Sequence, residues 1–157
     1  MVAEPSAPRL SLTVQYAVAR AGLPAAADFR RWARAALRAD VAATLRLVDE
    51  AEGHELNRDY RRKAYATNVL TFAYGAEAEG GPFGGDIVLC APVVEREAHE
   101  QGKSLIAHFA HLTVHGLLHL QGYDHTRKSE AVTMETLESF IMQRLGFTDP
   151  YTYKNGR

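Results

Sequence analysis

The sequence predicts an α+β fold in which a small mixed sheet of about four strands is packed with about five helices. Leu10, Leu12, Val14, Tyr16 and Val18 alternate with smaller or polar residues. This two-residue period is typical of a strand with one buried face. Beyond residue 91, helix-spaced apolar residues dominate instead. The strands are therefore expected in the first part of the chain and most of the helices in the second.

Three short apolar runs complete the predicted sheet. They cover residues 44–48, 68–74 and 86–91. The stretch GAEAEGGPFGG at 75–85 separates the last two strands and is too rich in glycine for regular structure. We predict a mobile loop there, close to the functional site.

Five helices are predicted from apolar spacing and from residues that favour helix ends. The first two cover residues 25–39 and 50–63. Pro92 suits the first turn of a short third helix, and Ser104 suits the N-cap of a long fourth helix. The fifth helix has an apolar side that ends before Gly146.

Composition limits the classes of function. A chain of 157 residues with 46% hydrophobic content suits a single domain, residues 1–157, in which residues 1–8 form a loose arm. A formal charge of −1 excludes an overall basic surface, so any contact with RNA or DNA must be local. The single cysteine, Cys90, lies in the apolar stretch DIVLCA and is predicted to be a buried strand thiol rather than a nucleophile. A single cysteine also favours a reducing cytosol. Without a signal peptide or an apolar run of about 20 residues, we expect a soluble cytoplasmic protein.

Three histidines in HLTVHGLLHLQGYDH at 111–125 carry the clearest chemical signal. His115 and His119 are four residues apart, so a helix presents both on one face. A continued helix would carry His125 roughly 9 Å further along the axis, so the chain must turn back, and Gly122 permits that turn. Three imidazoles with an open fourth position are typical of a catalytic zinc site. We therefore predict one Zn²⁺ ion on a helix and the turn that follows it.

His111 offers a competing pair because it is also helix-spaced with His115. His111 and His119 would lie roughly 12 Å apart along a straight axis, too far to share one ion. Two ligand pairs on the helix are therefore possible. One is His111 and His115, and the other is His115 and His119. Only the second pair is followed by a glycine turn and a further histidine.

The residue after the first ligand argues against peptide hydrolysis. In metalloproteases with the HExxH motif this residue is a glutamate that accepts a proton from the metal-bound water. In this chain it is Gly116. Asp124 or Glu130 could replace that base, but their spacing does not require it.

A basic cluster lies in LNRDYRRKAYATNVLTF at 56–72. It contains Arg58, Arg61, Arg62 and Lys63, and it is flanked by Tyr60 and Tyr65. Basic residues beside aromatic ones can bind phosphates and stack on bases. The same residues also suit a solvated helix end, where the helix dipole favours cations.

Together the two segments resemble the YbeY family, bacterial metal-dependent endoribonucleases that act in ribosomal RNA maturation. The resemblance covers most of the chain and rests on HGLLHLQGYDH at 115–125, LNRDYRRKAYATNVLTF at 56–72 and GDIVLC at 85–90. It implies zinc ligands at His115, His119 and His125, and it places the functional arginine of the family at Arg61. Lys63, Thr67 and Asn68 also match.

The chain departs from the family pattern in the segment that leads into the third predicted strand. The family commonly reads KDxPTDVLSFP where this chain has KAYATNVLTFA. Ala64 replaces an acidic residue, Ala66 and Ala73 replace prolines, and Thr71 replaces a serine. We expect these changes to alter the loop before the third strand while leaving the ligands and Arg61 in place.

The resemblance implies a single-strand-specific, zinc-dependent endoribonuclease. Its implied roles are ribosomal RNA processing, including maturation of the 3′ end of the small-subunit RNA, and ribosome quality control, with ribosomal particles as partners. Arg61 would clamp the scissile phosphate through two parallel hydrogen bonds, and Lys63 and Arg62 would bind the strand. Asp124 would either orient a ligand imidazole or cap the turn. Water and the ribose 2′-hydroxyl are both compatible as the nucleophile.

Two alternative functions belong to other classes. One is a zinc hydrolase that acts on another substrate, against which Gly116 argues. The other is a non-catalytic ribosome-binding module with a structural zinc ion. That module requires a fourth protein ligand, for which Cys90 is the only candidate.

Overall fold

The computed structural model describes residues 7–63, 65–76 and 78–152. Within these ranges the chain forms a four-stranded mixed sheet and five α-helices, so the predicted α+β fold is confirmed. Most of the predicted N-terminal arm, residues 1–6, lies outside the described residues. In the residues that the structure describes, there is no helix with the length and hydropathy of a membrane span.

The helices and strands alternate along the first half of the chain, and the last three elements are helices. In order they are β1 (Leu10–Tyr16), α1 (Ala26–Ala35), β2 (Val41–Val48), α2 (Glu50–Arg61), β3 (Val69–Ala76), β4 (Phe83–Cys90), α3 (Ala91–Gln101), α4 (Leu105–Leu120) and α5 (Lys128–Arg144). The strand order is β1-β2-β4-β3. β1, β2 and β4 are parallel, and β3 is antiparallel to β4. β3 is therefore an edge strand.

α4 is the central helix of the fold. It contacts β3, β4 and the helices α1, α3 and α5. Its Ser104 N-cap is as predicted, with the Ser104 hydroxyl accepting a hydrogen bond from the Ala107 N–H at 3.3 Å. The main core lies between α4 and the sheet and includes Phe109, Leu117 and Ile87. Because so many neighbours surround it, α4 is apolar around most of its circumference.

The other face of the sheet carries a smaller apolar cluster. Val88 and Cys90 of β4 pack there with Leu56 of α2, while Ile87 and Leu89 face the main core. Both faces of β4 are covered, which explains why its second half is continuously apolar. The prediction that Cys90 is a buried strand thiol is confirmed, since only 2% of the residue is exposed.

α1 ends earlier than the predicted residue 39 because a side chain from the end of α4 binds the chain beyond it. The Gln121 Oε1 accepts hydrogen bonds from the backbone N–H groups of Arg38 at 2.6 Å and Ala39 at 3.0 Å. The Gln121 Nε2 donates to the carbonyl of Ala36 at 2.9 Å. These long-range bonds replace helical ones and direct the chain into β2.

The prediction that residues 75–85 lack regular structure is wrong at both ends. β3 continues to Ala76 and β4 begins at Phe83, so only residues 77–82 connect the two strands. Close packing explains why glycine occurs inside a strand here. A Cβ on Gly85 would collide with Cδ2 of Leu120 and with the backbone oxygen of Phe72. The absence of a side chain lets the end of α4 lie directly on the hairpin.

Gly85→Ala should therefore destabilise the fold by about 1–3 kcal/mol or more, because α4 or the hairpin must move to admit the methyl group. Urea unfolding followed by circular dichroism measures this loss. Gly84→Ala is the matched control, since the nearest atoms to a Cβ on that residue are 3.8 Å away. Equal stability of the Gly85→Ala variant and the wild type would show that α4 does not pack this closely on the hairpin.

Candidate metal centre

The turn after α4 is built as the sequence predicts. Gly122 has a φ of 98°, which glycine adopts without steric cost. The N–H of Gly122 donates to the carbonyl of His119 at 3.0 Å, and the N–H of Tyr123 donates to that of Leu118 at 3.1 Å. These two bonds end the helix and reverse the chain.

The turn brings His125 back to the two histidines of α4. One ligand nitrogen from each of His115, His119 and His125 lies within 4.8 Å of the other two. The Nε2 atoms of His115 and His119 are 3.1 Å apart. Two nitrogens bound to one tetrahedral zinc lie about 3.4 Å apart, given Zn–N distances of about 2.1 Å. The trio therefore has the geometry to hold one metal ion, and the exposed His125 leaves it open to solvent.

His119 is neutral in this environment. Burial lowers its pKa to about 4, and the neighbouring His115 and His125 contribute in the same direction. A neutral imidazole retains a lone pair, which a metal ligand requires. The electrostatics of the site thus favour a form of His119 that can bind a metal.

A buried carboxylate that the sequence analysis missed lies behind His115. Glu138 of α5 is 0% exposed. Its Oε2 lies 3.2 Å from Nδ1 of His115, and its Oε1 lies 2.5 Å from Nε2 of His111. The Tyr151 hydroxyl donates to the same Oε1 at 2.8 Å. Burial raises the pKa of Glu138, but hydrogen bonds with His111 and His115 outweigh burial and hold it at about 2.

This carboxylate had a signal in the sequence. Glu138 is four residues after Met134 and three before Ile141, which are both buried on the apolar side of α5. A glutamate at such a position is rarely buried without a partner. The apolar pattern of α5 shows that a glutamate occupies a core position. It does not show which residues pair with that glutamate, because they come from α4 and from the segment after α5.

The structure also decides between the two histidine pairs. His111 faces Glu138 and Tyr151, and it is not part of the three-histidine group. The pair that shares the group with His125 is His115 and His119, as the glycine turn predicted.

Asp124 caps the turn. Its Oδ1 accepts a hydrogen bond from the N–H of His125 at 2.7 Å, and its Oδ2 accepts one from the Thr126 hydroxyl at 3.3 Å. The backbone hydrogen bond from His125 is the main cause that lowers the pKa of Asp124. Its Oδ1 is 4.0 Å from Nδ1 of His125, too far for a hydrogen bond to the ring. Of the two predicted roles, the structure supports the cap.

Arg61, the last residue of α2, lies at the same cavity as the three histidines. The cavity has a volume of about 280 Å³. It is lined by Arg61, His115, His119, His125 and the β3 residues Val69, Leu70, Thr71 and Ala73. α2 packs on the other face of the sheet, so Arg61 reaches the cavity around the edge strand β3. Among the described residues, no hydrogen bond or ion pair engages its guanidinium.

Arg62 and Lys63 are exposed and do not line this cavity. α2 ends at Arg61 rather than at the predicted residue 63, because Arg62 adopts a left-handed conformation with a φ of 58°. The buried Asn57 holds this turn. Its backbone carbonyl accepts from the N–H of Lys63 at 3.2 Å, and its Nδ2 donates to the carbonyl of Tyr65 at 2.6 Å.

The departures at positions 64, 66, 71 and 73 are distributed differently from our expectation. Thr71 and Ala73 line the cavity itself rather than the loop before β3. Ala66 packs against the smaller apolar cluster. Ala64 lies outside the described residues. Two of the departures therefore change the wall of the candidate site.

Close packing explains why Gly116 stands where the metalloprotease glutamate would be. A Cβ on Gly116 would lie 3.0 to 3.2 Å from three side-chain carbons of Ile87. This position faces β4, so a larger side chain such as glutamate would require Ile87 or the helix to move. Cys90, the candidate fourth ligand for a structural zinc, is not in the histidine group, and its Sγ lies 3.6 Å from the carbonyl of Asp49.

Comparison with known proteins agrees with this geometry. The sequence model of the family described as Endoribonuclease YbeY matches residues 23–146. The chain is 59% identical to the Endoribonuclease YbeY of Methylobacillus flagellatus, across 92% of this chain and 95% of that protein. It is also 59% identical to the Endoribonuclease YbeY of Aromatoleum aromaticum, across 94% of this chain and 96% of that protein.

A solved structure supports the fold. A Thermotoga maritima protein known from its solution structure superposes with a TM-score of 0.54 at 24% identity. The match covers 88% of this chain and 97% of that protein. The family model covers most of the chain, and the two relatives are 59% identical to it over nearly its full length. The chain therefore belongs to the Endoribonuclease YbeY family.

Proposed function

We propose that the chain is a zinc-dependent endoribonuclease that cuts single-stranded RNA. One Zn²⁺ ion would be held by His115, His119 and His125, and Arg61 would bind the scissile phosphate. The observation that carries the proposal is the shared cavity of about 280 Å³, which is lined by the three histidines and Arg61. Family membership supports the reaction class, cleavage of RNA phosphodiester bonds.

The donor set favours zinc in a catalytic role. Three imidazoles at this spacing suit a tetrahedral zinc with one open position. A structural zinc would need a fourth protein ligand, and within the described residues the group contains three histidines and no cysteine or carboxylate. When bound, zinc would supply Lewis acidity toward a phosphate oxygen or a water molecule.

Arg61 suits the phosphate for three reasons. Its guanidinium keeps its charge at any physiological pH, and it can donate two parallel hydrogen bonds to two phosphate oxygens. Its place on the cavity wall brings those donors into the cavity that the three histidines also line. Negative charge that builds on the phosphate in the transition state would then be neutralised by a group that is already in position.

A single strand fits the surroundings of the cavity. The net charge of −1 confines positive charge to local clusters, and the cluster that includes Arg62 and Lys63 lies just beyond Arg61. These two residues would contact flanking phosphates. Tyr65 is 57% exposed, so its ring is available to stack on an unpaired base. Tyr60 is also exposed, but it packs edge-on against Phe72 and lines a different cavity.

The proposed cellular role is ribosomal RNA processing in the cytoplasm, with ribosomal particles as partners. It includes maturation of the 3′ end of the small-subunit RNA and ribosome quality control. The resemblance of the histidine segment and of the segment around Arg61 to the YbeY pattern supports this role.

The ligand assignment predicts that His119→Ala loses its zinc. Wild type should retain about one ion per chain after dialysis, and the variant close to none, because two imidazoles and water bind zinc too weakly. Elemental analysis of purified protein measures the ratio. His99→Ala is the control, since His99 is exposed on α3 outside the histidine group. Full zinc content in His119→Ala would refute the assignment.

The role of Arg61 predicts a loss of rate without a loss of metal. Arg61→Ala should lower kcat about 100-fold or more, the usual cost of removing a donor aimed at transition-state charge. Arg61→Lys should be intermediate, because lysine keeps the charge but not the paired donors. Arg58→Ala is the control, because Arg58 pairs with Asp59 and Glu55 and does not line the cavity. Full activity in Arg61→Lys would contradict the two-bond clamp.

The proposed activity itself is tested with end-labelled single-stranded RNA and a duplex of the same sequence. Wild type should cut the single strand and leave the duplex intact. His119→Ala and Arg61→Ala, purified identically, should cut neither. Equal cutting by all three preparations would identify a contaminating nuclease, and an inactive wild type on both free RNA and ribosomal particles would contradict the proposal.

A further inference from the structure

We propose that Glu138 is a positioning residue for the metal centre, which fixes the tautomer and the orientation of the His115 ring. This inference rests on the metal site proposed above. It assigns a task to a buried carboxylate that comes from α5, an element that supplies none of the proposed ligands.

The two nitrogens of His115 face different partners. Nδ1 lies 3.2 Å from the Oε2 of Glu138, whereas Nε2 points to the cavity and lies 3.1 Å from the Nε2 of His119. A carboxylate accepts hydrogen bonds, so Nδ1 is the nitrogen that carries the proton. The lone pair is then on Nε2, the side on which His119 and His125 converge.

The carboxylate is itself held in place. Its Oε1 is hydrogen-bonded to Nε2 of His111 at 2.5 Å and accepts from the Tyr151 hydroxyl at 2.8 Å. Its Oε2 is therefore the oxygen available to His115. Rotation of the carboxylate would break these hydrogen bonds, and water could not replace them because Glu138 is 0% exposed. A buried group that loses its partners is costly, so the orientation is strongly favoured.

The helix that carries Glu138 is anchored on both sides of it. Met134, Ile141 and Met142 are buried on the same face of α5, with exposures of 0%, 1% and 1%. Glu138 is thus a fixed acceptor on a rigid element, the arrangement that restricts the movement of a metal ligand. A solvated or mobile carboxylate could not select one tautomer in this way.

The inference predicts that zinc affinity depends on Glu138. Glu138→Met removes the acceptor at similar volume and should weaken zinc binding about 10- to 100-fold, the usual effect of losing such a partner. Glu138→Gln keeps one acceptor oxygen without the charge and should be intermediate. Competition with a chromophoric zinc chelator measures Kd for each protein.

Ile141→Val is the matched control. It removes a buried methyl group three residues along the same helix without changing the carboxylate. It should lower the melting temperature and leave the Kd for zinc unchanged. A Kd for zinc in Glu138→Met equal to that of the wild type would overturn the inference. A loss of zinc affinity in Ile141→Val that matches its loss of melting temperature would also overturn it, because affinity would then follow general stability.

The imidazole nitrogens of the wild type give a second readout that needs no variant to fold. In ¹⁵N-labelled, zinc-loaded protein, the proton of His115 should be on Nδ1 and the metal on Nε2. The opposite assignment would overturn the role of Glu138 even if the protein binds zinc. If the wild type binds no zinc at all, the proposed metal site fails instead, so the two failures are distinguishable.

Discussion

The close approach of α4 to the β3–β4 hairpin is the constraint on which the site depends. Gly116 lies against the Ile87 side chain, and Gly85 lies against the Leu120 side chain, so at each contact one of the two elements contributes no side chain. This contact sets which face of α4 is turned toward the sheet. The positions of His115 and His119 then follow, because a helix keeps residues four apart on one face. The same packing disfavours a larger side chain, such as glutamate, beside the first ligand.

The candidate site combines parts from distant segments of the chain. The histidines come from α4 and its turn, Arg61 comes from the end of α2, and β3 forms the wall between them. Each part has a local cause. Gly122 permits the turn after the helix, and Asn57 holds the chain where α2 ends. β3 lies at the edge of the sheet, and its residues line the cavity that Arg61 and the histidines share.

Polar side chains connect the core to the site. The buried Glu138 joins α5 to α4 through His111 and His115, and the partly buried Gln121 joins the end of α4 to the segment after α1. Both side chains bind groups far away in sequence. A polar group in such a position needs partners of fixed geometry, so it restricts how neighbouring elements can pack. In this fold both restrictions act on the helix that carries the candidate ligands.

Several features of the protein follow from local physics and can be predicted from residue spacing and backbone preference. They are the α+β class, the strand and helix periods, the Ser104 cap, the return of the chain at Gly122 and the convergence of the three histidines. The other features depend on the tertiary structure. It shortened α1 through Gln121, extended β4 through Gly84 and Gly85, turned His111 away from the histidine group and buried Glu138 behind His115. These outcomes depend on contacts between residues far apart in the chain, and periodicity carries no information about which distant surfaces will meet.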